Sequence, residues 1–154
     1  MYRIMAFVLV GMIVTVAGAQ AQSTAPQTPL GGAWRVTQIA EPNKPPVTSP
    51  QPGLLIFAKQ YYSFTRINGS KPLPDYPTND KATDAEKVAV FDALYLNAGT
   101  YTATANTLTT KSIVAKSAFA MAGPGNNFDY SIAGDMLVLT QKPQGIVIRF
   151  VRVE

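Results

Sequence analysis

The chain shows its fold class most plainly at residues 128–153, which read FDYSIAGDMLVLTQKPQGIVIRFVRV. Three runs rich in β-branched and aromatic residues lie within it, at 128–133, 136–141 and 146–153. Only Gly134-Asp135 separates the first two runs, and a two-residue connection containing glycine is typical of a β-hairpin. Residues 142–145 (KPQG) supply the next turn. The stretch therefore predicts three consecutive antiparallel strands.

Five more runs of the same kind precede this stretch, at 34–40, 53–58, 61–67, 100–105 and 108–116. The eight predicted strands are short, regularly spaced and joined mostly by tight turns. This pattern is typical of an antiparallel sandwich or an up-and-down barrel. The chain is therefore predicted to be all-β, and its length suits a single domain.

Two proline-rich segments lie between the early strands. Residues 41–52 contain five prolines and residues 68–80 contain three. Because proline lacks a backbone N–H and fixes its own φ, these segments exclude both a helix and a central strand. We expect both to be loops.

One helix is predicted between the third and fourth strands. Thr83-Asp84-Ala85-Glu86 fits a capping box, in which the threonine hydroxyl and the glutamate carboxylate satisfy early backbone N–H groups. Asn97-Ala98-Gly99 would end the helix, with Gly99 as a left-handed cap. The helix would carry an apolar stripe at helical spacing, formed by Val88, Phe91, Leu94 and Tyr95. We expect this stripe to close over the sheet or barrel; binding of a partner helix is the alternative.

The composition excludes several kinds of chemistry. The chain has neither cysteine nor histidine, so disulfides and serine–histidine or cysteine–histidine catalysis are ruled out. A zinc site would need oxygen ligands alone, which is unusual for that metal. We therefore predict no catalytic residues, no metal site and no cofactor.

The N-terminus has the organisation of a secretory signal peptide. A short basic start precedes an apolar run at 4–19, which ends in the A-x-A site Ala19-Gln20-Ala21. We predict cleavage after Ala21, rather than an uncleaved membrane anchor, because the run is shorter than a typical span. Residues 1–21 would then be the leader, 22–30 a flexible lead-in, and 31–154 an exported domain, periplasmic or secreted.

The charge of the mature chain is small. Removing Arg3 leaves 12 cations against 9 anions, or +3, and the cations are scattered. Proteins that bind nucleic acids normally cluster their cations on one face or along one helix. No nucleic-acid partner is therefore predicted.

Three short motifs give the chain a resemblance to a known family. Gly32-Ala33-Trp34 opens the first strand, Gly99-Thr100-Tyr101 follows the helix, and Gly134-Asp135 begins a G-D-x-L-x-L-T hairpin. In this order the motifs resemble those of the bacterial lipocalin-like domains, which are calycin-type β-barrels. The resemblance implies an eight-stranded antiparallel up-and-down barrel with one open end and one α-helix between the third and fourth strands.

The same resemblance implies roles for three residues at the closed end. Trp34 would plug the barrel, and an arginine from late in the chain would pack against it. Arg149 and Arg152 are both candidates for this arginine, and the sequence does not decide between them.

Aromatic side chains on the strands are candidates for the wall of a ligand cavity. A tyrosine combines apolar area with a hydroxyl that needs a partner, which suits a pocket. Arg66 alternates with Phe64 and Tyr62, so it would share their face and hold a carboxylate. The predicted ligand-binding residues are Tyr62, Phe64, Arg66, Tyr101 and Tyr130; ordinary core packing and an exposed Arg66 are the alternatives.

Three functions are compatible with these observations. The first is binding of a small apolar or amphipathic molecule in the barrel. The second is a packed barrel that acts as an interaction or structural module through the loops at 41–52 and 68–80. The third is a cofactor-free isomerase or cyclase. A cavity above about 300 Å³ would favour the first, and a cavity tyrosine with a displaced pKa would favour the third.

Overall fold

The structure is a computed structural model that describes residues 29–78 and 80–154. The predicted leader at 1–21 and residues 22–28 of the predicted lead-in lie outside the described residues. Leu30, the last residue of that lead-in, is fully buried in the core. No helix in the described ranges is both long and apolar enough to span a membrane.

The eight strands form a closed barrel in which every strand is antiparallel to both neighbours. The all-β up-and-down barrel predicted from the sequence is confirmed. The strands are β1 (Gly32–Ala40), β2 (Gly53–Ala58), β3 (Tyr61–Ile67), β4 (Leu94–Ala103), β5 (Thr107–Ala115), β6 (Asn126–Ala133), β7 (Met136–Lys142) and β8 (Ile146–Arg152).

Alternation of side chains fills the barrel from all sides. In β2, Leu55 and Phe57 are buried while their neighbours Leu54 and Ile56 are exposed. Successive side chains of a strand point to opposite faces, so each strand contributes every second residue to the interior. The interior is mostly aliphatic and aromatic, and Trp34, Phe150, Leu30, Leu108 and Leu137 are its largest fully buried side chains.

The predicted helix lies between β3 and β4, as helix α1 (Asp84–Ala93). Its capping box is present: Glu86 N donates to Thr83 Oγ1 at 3.3 Å, and Thr83 N donates to Glu86 Oε2 at 2.8 Å. The predicted helix end and apolar stripe are wrong. The helix stops at Ala93, none of its residues is buried, and Val88 and Phe91 are more than half exposed.

Pairing with β3 explains why the helix ends early. Leu94 and Asn97 pair with Ile67 and Phe64, so this segment forms barrel wall instead of a fourth helical turn. Tertiary pairing therefore overrides the local helical pattern. Gly99 lies at a β-bulge opposite β5, where a Cβ atom would come within 1.9 Å of the Lys111 carbonyl oxygen. Glycine is needed here for close approach and not for a helix cap.

A second helix, α2 (Ala118–Ala122), was not predicted. It is five residues long and lies between β5 and β6, where the sequence indicated a looser stretch. Ser117 caps it by accepting a hydrogen bond from Ala120 N.

The two ends of the barrel differ in their connections. At the closed end, the short turns at 59–60, 104–106 and 134–135 join successive strands. At the open end lie the longer connections that include both proline-rich loops and both helices. An opening into the barrel interior is therefore expected at the end that carries the longer connections.

Candidate binding site

Trp34 fills the closed end of the barrel. Its side chain is fully buried, and its indole Nε1 donates to the carbonyl oxygen of Leu30 at 2.7 Å. The guanidinium carbon of Arg152 lies 3.9 Å from the centroid of the Trp34 ring. Arg149 is exposed on the outer face of β8. Of the two candidate arginines, Arg152 is therefore the one that packs against the tryptophan.

Arg152 also holds residues 29–31 against the barrel by hydrogen bonds. Its guanidinium donates to the carbonyl oxygens of Gly31 at 2.6 Å and Pro29 at 2.9 Å. Gly32 has a φ of +116°, and a Cβ atom there would lie 2.2 Å from the Glu154 carbonyl oxygen. Glycine alone fits this conformation and this approach, which accounts for the first residue of the G-x-W motif.

Tyr101 and Tyr130 lie near the closed end, away from the cavity. The Tyr101 hydroxyl donates to the Lys59 carbonyl oxygen at 2.9 Å, and the Tyr130 hydroxyl donates to that of Thr104 at 2.7 Å. Both side chains are buried, and each hydrogen-bonds to the backbone of a turn between two strands. The structure therefore does not bring these two predicted residues into a ligand site.

A cavity of about 220 Å³ occupies the open half of the barrel. Tyr62, Phe64 and Arg66, all predicted ligand-binding residues, line it. Its apolar wall is completed by Leu55, Phe57, Leu108, Phe128, Leu139, Ile146 and Ile148. The volume is below the 300 Å³ set by typical ligand pockets, but it exceeds the roughly 150 Å³ of an engineered cavity that binds benzene.

Arg66 brings a positive charge into this cavity. The side chain is partly buried, and its guanidinium carbon lies 5.3 Å from the centroid of the Tyr95 ring and 6.0 Å from that of Phe64. Its Nε is buried and has no hydrogen-bond partner. Among the described residues, no carboxylate forms an ion pair with Arg66. Burial lowers the pKa of the guanidinium, but arginine remains charged in proteins.

Asn97 is the centre of a hydrogen-bond network beside Arg66. Its Oδ1 accepts from the Tyr62 hydroxyl at 2.6 Å and from Ser112 Oγ at 2.8 Å. Its Nδ2 donates to the Tyr95 hydroxyl at 3.5 Å. Burial raises the pKa of Tyr95, against smaller opposing effects of Asn97 and Arg66. The phenol is therefore protonated at neutral pH and can donate to a ligand.

Tyr95 and Asn97 were not predicted as cavity residues, because the helical pattern placed both at the end of the helix. A signal was present, since Tyr95, Asn97, Gly99 and Tyr101 occur at every second position. Extending the strand pattern backwards from Tyr101 puts all four on one face.

Two further amide side chains line the cavity, on strands β6 and β7. Gln141 lies on β7, which is four strands from β3 in the closed ring of eight, and Asn126 begins the adjacent β6. Gln141 Nε2 donates to Asn126 Oδ1 at 3.2 Å. Both residues line the cavity and are partly buried.

The proline-rich loops lie at the open end, and one of them forms a second hollow. Residues 68–74 and helix α1 enclose about 500 Å³ of open groove. Asn68 Oδ1 is buried there without a hydrogen-bond partner. No group of three or more acidic side chains in the described ranges is arranged to hold a metal ion.

Similarity between this chain and known proteins is low. No family model matches the chain, and no curated protein is similar to it in sequence. Among solved structures, a lipocalin-like protein from Bacteroides uniformis is similar over 80% of this chain and 97% of its own, with 12% identity and a TM-score of 0.49. An uncharacterized protein from Bacteroides eggerthii gives 10% identity and a TM-score of 0.49, over 80% of this chain and 98% of its own.

Proposed function

We propose that the protein binds a small amphipathic anion in the open half of its barrel. The ligand's apolar body would lie against the aromatic and aliphatic wall, and its anionic group would meet Arg66. The observation that carries the proposal is the Arg66 guanidinium itself. It enters a largely apolar cavity, and its Nε is buried without a partner.

An arginine whose Nε is buried without a partner favours binding of an anion beside it. A buried donor without a partner costs free energy, and burial of an unpaired charge costs more. A carboxylate accepts two parallel hydrogen bonds from a guanidinium, so it satisfies both the charge and the donors. The Tyr95 hydroxyl, which accepts from Asn97 Nδ2, keeps its own proton for the same ligand. Arg66 and Tyr95 together form a two-residue anion site.

The cavity volume limits the size of the ligand. About 220 Å³ suits a molecule with one ring or a short chain, and not a long-chain lipid. The cavity is smaller than the roughly 300 Å³ that would favour ligand binding on volume alone, so the support for ligand binding comes from Arg66 and not from the volume. The upward pKa shift of Tyr95 makes the phenol a weaker acid, so it supports a role in hydrogen bonding more than proton transfer.

Binding of phenylacetate, measured by isothermal titration calorimetry, tests the proposal. We expect wild-type protein to bind phenylacetate and to bind the neutral amide phenylacetamide at least about tenfold more weakly, because a charged hydrogen bond contributes more than a neutral one. Arg66→Met should lose a similar factor for phenylacetate and leave phenylacetamide unchanged.

Arg149→Met is the matched control, because Arg149 is exposed on the outside of the barrel. It should bind phenylacetate as the wild type does. Equal affinity for the acid and the amide, or equal loss of phenylacetate binding in both arginine variants, would show that Arg66 is not an anion site.

A further inference from the structure

We infer that the ligand carries a second, uncharged polar group, which hydrogen-bonds to Asn126 and Gln141 on the wall opposite Arg66. The inference rests on the proposed function, because it names a further feature of the same ligand. It distinguishes a hydroxylated or amidated acid from a plain hydrocarbon acid.

The geometry of the amide pair is the basis of the inference. The hydrogen bond from Gln141 to Asn126 uses one N–H of the first amide and the oxygen of the second. It leaves the Asn126 NH₂ group and the Gln141 oxygen without a partner among the described residues. Whichever way round the two amides are oriented, one NH₂ donor and one carbonyl acceptor remain.

The position of the pair makes these free groups relevant to a ligand. Both residues line the cavity, and β7 stands opposite β3 in the ring, so a ligand at Arg66 lies between the two walls. An apolar ligand would displace water from the amides and form no hydrogen bonds in its place, which costs binding free energy. A ligand hydroxyl both donates and accepts, so it would pair with the free groups.

Compounds related to phenylacetate test the second group directly. Affinities of phenylacetate, 3-hydroxyphenylacetate and 4-hydroxyphenylacetate would be measured by calorimetry on wild type and on Gln141→Met, which keeps the side-chain length. We expect the better hydroxylated compound to bind wild type about threefold to tenfold more tightly than phenylacetate, the effect of one neutral hydrogen bond. In Gln141→Met the ratio of the two affinities should fall towards one, because the hydroxyl loses one of its two amide partners.

A glutamine away from the cavity provides the control. Gln144 is exposed in the turn between β7 and β8, and Gln144→Met should keep the preference for the hydroxylated compound. A wild type without that preference, or a preference that survives in Gln141→Met, would overturn the inference while phenylacetate binding still upholds the proposed function. Failure of all three compounds to bind would overturn both.

Discussion

Trp34 and Arg152 show how single residues close one end of the barrel. The indole is fully buried, donates to the Leu30 carbonyl oxygen and is covered by the Arg152 guanidinium. Arg152 in turn donates to two carbonyl oxygens of the segment that precedes β1. The pair therefore joins the first strand, the last strand and the chain ahead of them.

Replacement of Trp34 by alanine should destabilise the protein strongly. We expect the free energy of unfolding to fall by about 3–5 kcal/mol, the usual cost of deleting a large buried aromatic side chain. Urea denaturation followed by circular dichroism measures this change. Arg149→Ala, an exposed position, should stay within about 0.5 kcal/mol of wild type. A Trp34→Ala variant with near-wild-type stability would show that the indole is not a structural plug.

At the residue scale, alternation along a strand predicted part of the site. It placed Tyr62, Phe64 and Arg66 on one face, and all three line the cavity. Tyr101 and Tyr130 were selected as aromatic strand residues with a hydroxyl, and they face inward but lie at the closed end. Alternation gives the face of a residue and not its height along the barrel axis, because height depends on the register between strands.

Helix α1 and strand β4 show where local sequence patterns fail at the scale of elements. The capping box placed the start of the helix correctly, since its hydrogen bonds lie within four consecutive residues. The helix end depends on β3, which pairs with residues 94–100 and is distant in sequence. Long-range pairing of this kind leaves no signature in helical spacing.

The bulge between β4 and β5 makes a prediction at this scale. Gly99→Ala should lower the free energy of unfolding by about 1–3 kcal/mol, because the added methyl group would overlap the Lys111 carbonyl oxygen and force the two strands apart. Thermal and urea unfolding measure the change. Gly123→Ala is the matched control, since its nearest backbone atom would be 3.3 Å away and its φ is an ordinary −67°. Equal stability of the two variants would contradict the close approach.

For the whole molecule, the number of strands was predictable because each strand carries its own local pattern of β-branched and aromatic residues. All eight predicted strands form, although β4 begins at Leu94 and not at residue 100, and their closure into a ring is the feature that the family resemblance implied. The size of the cavity was not predictable, since it depends on how fifteen side chains from seven strands and Ala120 from helix α2 pack together. Sequence periodicity does not specify such packing.

Export of the whole chain is a further proposal that can be tested. Expressed in a bacterial host with an intact secretion pathway, the protein should lose residues 1–21 and begin at Gln22. Intact mass measurement of the periplasmic fraction reads the cleavage position directly. A full-length chain retained in the membrane fraction would instead identify the segment at 4–19 as an anchor.

Arg66 is proposed to receive the anionic group of a small ligand inside the barrel. A nitrogen–proton correlation spectrum of the arginine side chains measures this contact, with the Arg66 Nε signal assigned by its absence in Arg66→Lys. Saturating phenylacetate should move the Nε–H signal of Arg66 to lower field and slow its exchange, because the buried donor gains an acceptor. An unchanged Arg66 signal at saturation would contradict the claim.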